Sequence, residues 1–186
     1  RSQIIETINL YEHKKLIPQN SELKIGIDKV RPFITGMSIY KKLGKSDRYF
    51  DPTKANEVPP EKCGYSLRFF QLAGNCIEVR KEKKVEMRIK ITDLNQILIP
   101  PQTRQMITKY KKNISTRPNS TSLIAKQKAE ESLEFVNFQL VLDKTALDLI
   151  AHNYMAYISF ADGIDEFLKY KKNKTINEFL FYCYNQ

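Results

Sequence analysis

Hydrophobic and polar positions alternate most regularly between Ser132 and Leu168, and the rest of the chain is ordered around that stretch. Val136, Phe138, Leu140 and Leu142 alternate with Asn137, Gln139 and Val141, the period of two that belongs to a strand with one face on a core. A turn is predicted at Asp143-Lys144, then Leu147 and Leu149 alternate around Asp148 until Asn153 interrupts. Tyr154, Ala156 and Ile158 read as a third short alternation. The period then lengthens. Ser159 to Asp162 reads as a capping box, in which the Ser hydroxyl satisfies an amide three residues on. Phe160, Ile164, Phe167 and Leu168 follow at i, i+4, i+7 and i+8, one face of an α-helix. Antiparallel strands running straight into one amphipathic helix predict an α+β fold, a small sheet with that helix across it.

Ahead of the sheet, Ile4, Ile5, Ile8 and Tyr11 share one helical face, and Pro18 stops that helix. Ser21 caps a second helix, with Leu23, Ile27 and Val30 on one side and Pro32 as its expected end. From Phe33 the pattern is strand-like up to Leu43-Gly44, and a long polar loop fills residues 45–63. Tyr65 to Leu72, Cys76 to Val79 and Val85 to Ile91 read as three strands, joined at Gly74-Asn75 and at Lys81–Lys84. The parity slips at Thr92-Asp93, a bulge or bend, before Leu94 to Ile99. A short strand is expected at Met106–Tyr110 and a loop over residues 111–131. Near the end, Lys169–Lys174 reads as a basic hinge, and Thr175 to Glu178 as a second capping box. The final helix, with Ile176, Phe179, Leu180, Phe181, Tyr182, Cys183 and Tyr184, is apolar nearly all round, which predicts burial.

Composition narrows the function classes. The 186 residues are 41% hydrophobic and 28% charged, in keeping with one globular domain plus appendages. No run approaches the roughly 18 apolar residues of a membrane span, and no signal-peptide pattern is present. The chain opens on Arg1 rather than Met, so a preceding segment is expected in the parent protein. Three cysteines at unrelated spacings, with His13 and His152, write no zinc constellation and read as reduced cytosolic thiols. The net charge of +10 is spread along the chain among Asp and Glu and reads first as a solvated surface. Neither histidine has a Ser or Cys nucleophile motif near it, and six glycines include no phosphate-binding loop. Asp162 and Asp165 read as carboxylates that stabilise a helix N-terminus. Phe69, Phe70 and Tyr65 beside Arg68 are interleaved as in a stacking platform, but alternate aromatics are normally core, so no nucleic-acid partner is expected. No catalytic residue, metal or cofactor is therefore predicted.

Two stretches carry a resemblance. Arg31-Pro-Phe-Ile-Thr-Gly-Met-Ser-Ile-Tyr-Lys-Lys-Leu43 resembles the entry into the pleckstrin-homology (PH) domain of the ELMO (engulfment and cell motility) family. Phe160-Ala-Asp-Gly-Ile-Asp-Glu-Phe-Leu168 is similar to that family's helix entry, with Phe160 in the place of the usual Trp. The resemblance implies a PH-like antiparallel β-sandwich capped by a C-terminal helix, with flanking helices at both ends. Its expected divisions are an N-terminal helical extension at 1–31, a PH-like domain at 32–172 and a C-terminal helical extension at 173–186. The proline-rich tail that engages an SH3 domain in that family does not follow in this sequence.

In the ELMO family the flanking helices form a bundle with a DOCK-type guanine-nucleotide exchange factor. The resemblance therefore implies a non-catalytic adaptor, cytoplasmic and recruited to membranes, that supports activation of a Rho/Rac-family GTPase. Ile4, Ile8, Tyr11, Phe179, Phe181 and Tyr184 are the expected anchors of that contact. The alternative is a module for acidic phospholipids, with Lys42, Lys45, Arg48 and Arg68, and Lys41 beside them, around a head group. Against it, the insertion between Lys42 and Arg68 is long and carries Asp47, Asp51, Glu57 and Glu61.

Overall fold

The computed structural model describes residues 21–44, 48–115 and 133–185. The elements are α1 (Ser21–Thr35), β1 (Met37–Lys42), β2 (Tyr65–Ala73), β3 (Cys76–Lys81), β4 (Lys84–Lys90), β5 (Leu94–Leu98), α2 (Pro101–Ser115), β6 (Glu134–Leu142), β7 (Ala146–Asn153), α3 (Tyr154–Lys172) and α4 (Ile176–Tyr184). The strands form one seven-stranded antiparallel sheet in the order β4-β3-β2-β1-β7-β6-β5. The fold is α+β, as the alternation followed by helical spacing implies.

Turn chemistry fixes most of the register. Gly74, at φ +63°, and Asn75 join Ala73 to Cys76 in a two-residue hairpin. Lys81 pairs with Lys84 across a turn in which Glu82 takes φ +55°. The parity slip after β4 is a 3-10 turn at Ile91–Asp93, which aims the chain into β5.

One core lies between the sheet and a layer of three helices, α1, α3 and α4. Phe160 is wholly buried there, with the rings of Phe33, Phe138 and Phe70 at 5.0, 5.2 and 5.7 Å. The same core takes Leu23, Ile27 and Val30 from α1 and Ile176, Phe179 and Leu180 from α4. Divisions at 31/32 and 172/173 therefore do not separate it, and the first of them falls inside α1.

A second, smaller core occupies the opposite face of the sheet. Tyr40, Tyr65 and Ile150 meet Phe50, Ala55 and Cys63 there, so the polar insertion after β1 folds back as a cover. Two 3-10 turns, Pro52–Lys54 and Pro60–Cys63, give that cover its shape.

Several local expectations need correction. Pro32 does not end α1, which runs on to Thr35. A proline within the last turn removes a single bond, to Asp28 on the exposed side, and the turn carries Phe33 into the core. Residues 106–110 are helix, because Thr103, Ile107, Tyr110 and Ile114 repeat at i, i+4, i+7 and i+11 behind Pro101 at the first position. α3 begins at Tyr154, five residues before Ser159. Asn153 is its cap, its side-chain oxygen accepting the Ala156 N–H at 2.8 Å. Asp162 and Asp165 consequently lie far from its N-terminus, on its exposed side. Thr175 caps α4 by position only, with no side-chain bond. α3 also extends through the expected basic hinge to Lys172, leaving Lys174 at φ +58° as the bend.

Asn153 supplies the first quantitative expectation. Asn153→Ala should lower stability by about 1 kcal/mol, while Ser159→Ala stays within about 0.5 kcal/mol, both read from urea unfolding midpoints. The reverse ranking would place the helix start where the sequence alone suggested.

Candidate functional site

The expected anchors divide three ways. Ile4, Ile8 and Tyr11 lie outside the described residues, as does Lys45. Phe179 is wholly buried inside the chain itself. Its ring stacks on Tyr170 at 4.0 Å and 9°, with Phe167 edge-on at 6.3 Å. It welds α4 to α3 and offers nothing to a partner. Phe181 is half-buried, and Tyr184 is 51% exposed with its hydroxyl donating to the Gly74 carbonyl at 2.7 Å. That bond ties the end of α4 to the β2–β3 turn.

The helical layer is also held by charge. Glu166 of α3 is buried between α1 and α3, with Lys29 at 3.8 Å and Lys169 at 3.4 Å, and Lys169 reaches Glu22 at 3.1 Å. A buried carboxylate needs such partners, and these bring α1 onto α3 in one register. Two large side chains of this layer are exposed, Ile25 of α1 and Tyr184 of α4, the latter beside the β2–β3 turn.

A different cluster gathers at the β1–β2–β3 end of the sheet. Arg68, expected to meet a head group, is buried. It donates to Glu86 at 2.8 Å and to the Leu67 carbonyl at 2.9 Å. Its hydrogen bond holds the Glu86 carboxyl below the usual range, and Lys81 and Lys41 add to that shift. Arg68 therefore fixes the cluster from within, while Lys41 and Lys81 flank it. Lys81, Lys83 and Lys84 of the β3–β4 hairpin are exposed. The sequence showed this hairpin as a turn only. The register Phe69↔Arg80 brings the start of this hairpin alongside the part of β2 next to Arg68. Lys42 stands with its ammonium 5.9 Å from the Tyr65 ring, and Arg48 is exposed. On the outer face of β3 and β4, Glu78 binds Arg80 at 2.5 Å and Arg88 at 3.1 Å, a network that occupies those two arginines.

Three further features bear on chemistry. The cysteines are free, and burial pushes the Cys183 thiol up to about 12, which removes its nucleophilic form at neutral pH. Among the described residues no group of His, Cys, Asp and Glu is placed to hold a metal ion. Among them, too, no helix is long and apolar enough to cross a membrane.

No family model, curated protein or solved structure matches the chain.

Proposed function

We propose that this chain is a PH-like, non-catalytic adaptor whose helical layer docks on the helices of a DOCK-type exchange factor, in support of a Rho/Rac-family GTPase. The observation that carries the reading is the layer itself. One helix from before the sheet and one from after it are welded onto the capping helix into a single platform, with Ile25, Phe181 and Tyr184 at its surface. The strand order and the helix that follows β7 suit the PH-like reading. Such a platform has little ordering entropy left to lose when a partner helix is laid across it.

The docking surface is accordingly drawn at Ile25, Phe181 and Tyr184, without Phe179. Ile25→Asp with Phe181→Asp is expected to weaken co-purification with the exchange factor at least about tenfold while the circular dichroism holds and the chain stays folded, with a modestly lowered unfolding midpoint. Full retention by the folded double variant would remove this surface from the contact.

A second reading has its own observation, the convergence of Lys41 and Lys81 on the Arg68–Glu86 pair with Lys83 and Lys84 exposed beside them. It is a module that settles on acidic phospholipid, weakly, since each cation adds about 1 kcal/mol near such a surface. Lys81→Glu with Lys84→Glu should abolish sedimentation with phosphatidylserine vesicles at low salt.

A further inference from the structure

α2 stands outside the three-helix layer, between β6 and β5, an edge strand of the sheet. Its inner face is firmly seated. Thr103, Ile107 and Ile114 are buried, the Thr103 hydroxyl donates to the side chain of the buried Asn137 on β6, and Tyr110 lies edge-on to Tyr154 at 5.8 Å. That seating fixes which side chains are left outward. Arg104, Thr108 and Lys111 follow one another at i, i+4 and i+7, and Gln105, Lys109 and Lys112 form a second ridge at the same spacing. All six are exposed. At the rise of an α-helix, the ends of each ridge stand about 10 Å apart.

The charge on this face is one-sided. Pro101–Ser115 contains no Asp or Glu, and Arg104 is its fourth residue, close to the end where the helix dipole is already positive. Stability of the helix alone would favour a carboxylate there. Elsewhere cations are neutralised in place, Lys29 and Lys169 by Glu166 and Arg80 and Arg88 by Glu78. No ion pair among the described residues takes up Arg104, Lys109 or Lys111. The nearby acids are Asp51, whose carboxylate accepts from Gln102 at 3.3 Å, and Asp162 and Asp165, which share the surroundings of the Tyr157 hydroxyl with Arg104.

Such a face selects its ligand by what it lacks. Protein docking needs aromatic or aliphatic anchors, and a bilayer needs a side chain to insert. Stacking on unpaired bases needs an exposed ring, and Tyr110 is half-buried against Tyr154. The phosphates of a duplex need only Lys, Arg and short polar donors, held on a rigid element.

We infer that α2 lays its outer face against the phosphate backbone of a duplex nucleic acid, where Arg104, Lys109 and Lys111 neutralise about three phosphates irrespective of sequence. The inference is independent of the adaptor reading, since α2 is not one of the three helices of that platform. Tyr65, Arg68 and Phe70, the interleaved group of β2, are buried and take no part.

Binding of the intact chain to a labelled duplex of about 20 base pairs, followed by fluorescence anisotropy, should fall with a slope of log K on log salt of about −3. Arg104→Gln with Lys109→Gln and Lys111→Gln should weaken it at least about tenfold at low salt and flatten the slope. Glutamine matches Lys and Arg in helix propensity, so circular dichroism should hold. Lys81→Gln with Lys83→Gln and Lys84→Gln removes the same charge from the β3–β4 hairpin and should leave binding within about threefold. Bound duplex should also shield Lys109 and Lys111 of the unaltered chain from an amine-acetylating reagent, a reading that needs no variant. Equal losses in the two triple variants would assign binding to the overall charge of +10 and overturn the inference. Lysines of α2 left unshielded under bound duplex would overturn it too. So would a chain that captures phosphatidylserine vesicles through these cations but no duplex at low salt.

Discussion

Phe179→Ala is expected to destabilise the chain by about 3–5 kcal/mol, the range for emptying a fully buried phenylalanine site. The ring has no exposed surface and lies flat on Tyr170 at 4.0 Å, with Phe167 at its edge. A Cβ built on Gly26 would come within 3.4 Å of the same ring, so α1 closes the pocket from the third side. None of these neighbours is a flexible end that could collapse inward. Phe181→Ala, on the half-buried side of the same helix, should lose only about 1 kcal/mol. Urea unfolding of the two variants measures the contrast directly. It also decides how binding data are to be read. A Phe179→Asp chain that no longer captures an exchange factor reports a lost fold, whereas a folded Phe181→Asp chain that fails reports a lost contact. Should Phe179→Ala lose less than about 1 kcal/mol, α4 is not docked as described, and its whole apolar surface becomes available to a partner.

The sequence was legible wherever a turn pair bounded a clean alternation. Gly74-Asn75 and the Lys81–Lys84 turn framed β2, β3 and β4 closely, and the all-round apolar character of α4 foretold its burial. The errors fell where two periods share residues. Tyr154, Ala156 and Ile158 satisfy an alternation, but Tyr154, Tyr157, Ala161 and Ile164 satisfy a helix, and Asn153 decides between them by capping. In α2, Met106 and Tyr110 mimic a strand until Thr103 and Ile114 are counted. The cover over residues 48–63 has no period at all. Phe50, Ala55 and Cys63 are buried by prolines and 3-10 turns that place them singly, so only the folded chain reveals the second core. The candidate site was harder still. Arg68 reads as a free cation in sequence, and the Glu86 that occupies it lies two strands away.

The tightest joint in the helical layer is the crossing of α1 and α3, and it rests on Gly163. A Cβ added there would lie 2.5 and 2.7 Å from ring carbons of Phe33 and 3.3 Å from the Lys29 carbonyl oxygen. Phe33 has nowhere to go, being fully buried against Phe160 at 5.0 Å and Phe167 at 5.7 Å. Gly163→Ala should show two opposed effects, roughly 1 kcal/mol gained in helix propensity against about 1–3 kcal/mol of overpacking. Gly163→Val loses that gain through its branched Cβ and adds two methyl groups, so the expected loss reaches about 3 kcal/mol or more. Asp162→Ala, one residue earlier on the exposed side, should stay within about 0.5 kcal/mol. Adding Phe33→Leu to Gly163→Val opens the space the methyls need, and a double-mutant cycle should return a favourable coupling of at least about 1 kcal/mol. A neutral Gly163→Val, or a cycle with no coupling, would mean that α1 and α3 do not meet at this point. The platform would then have no rigid floor, and the proposal that it receives a partner's helices would lose its physical basis.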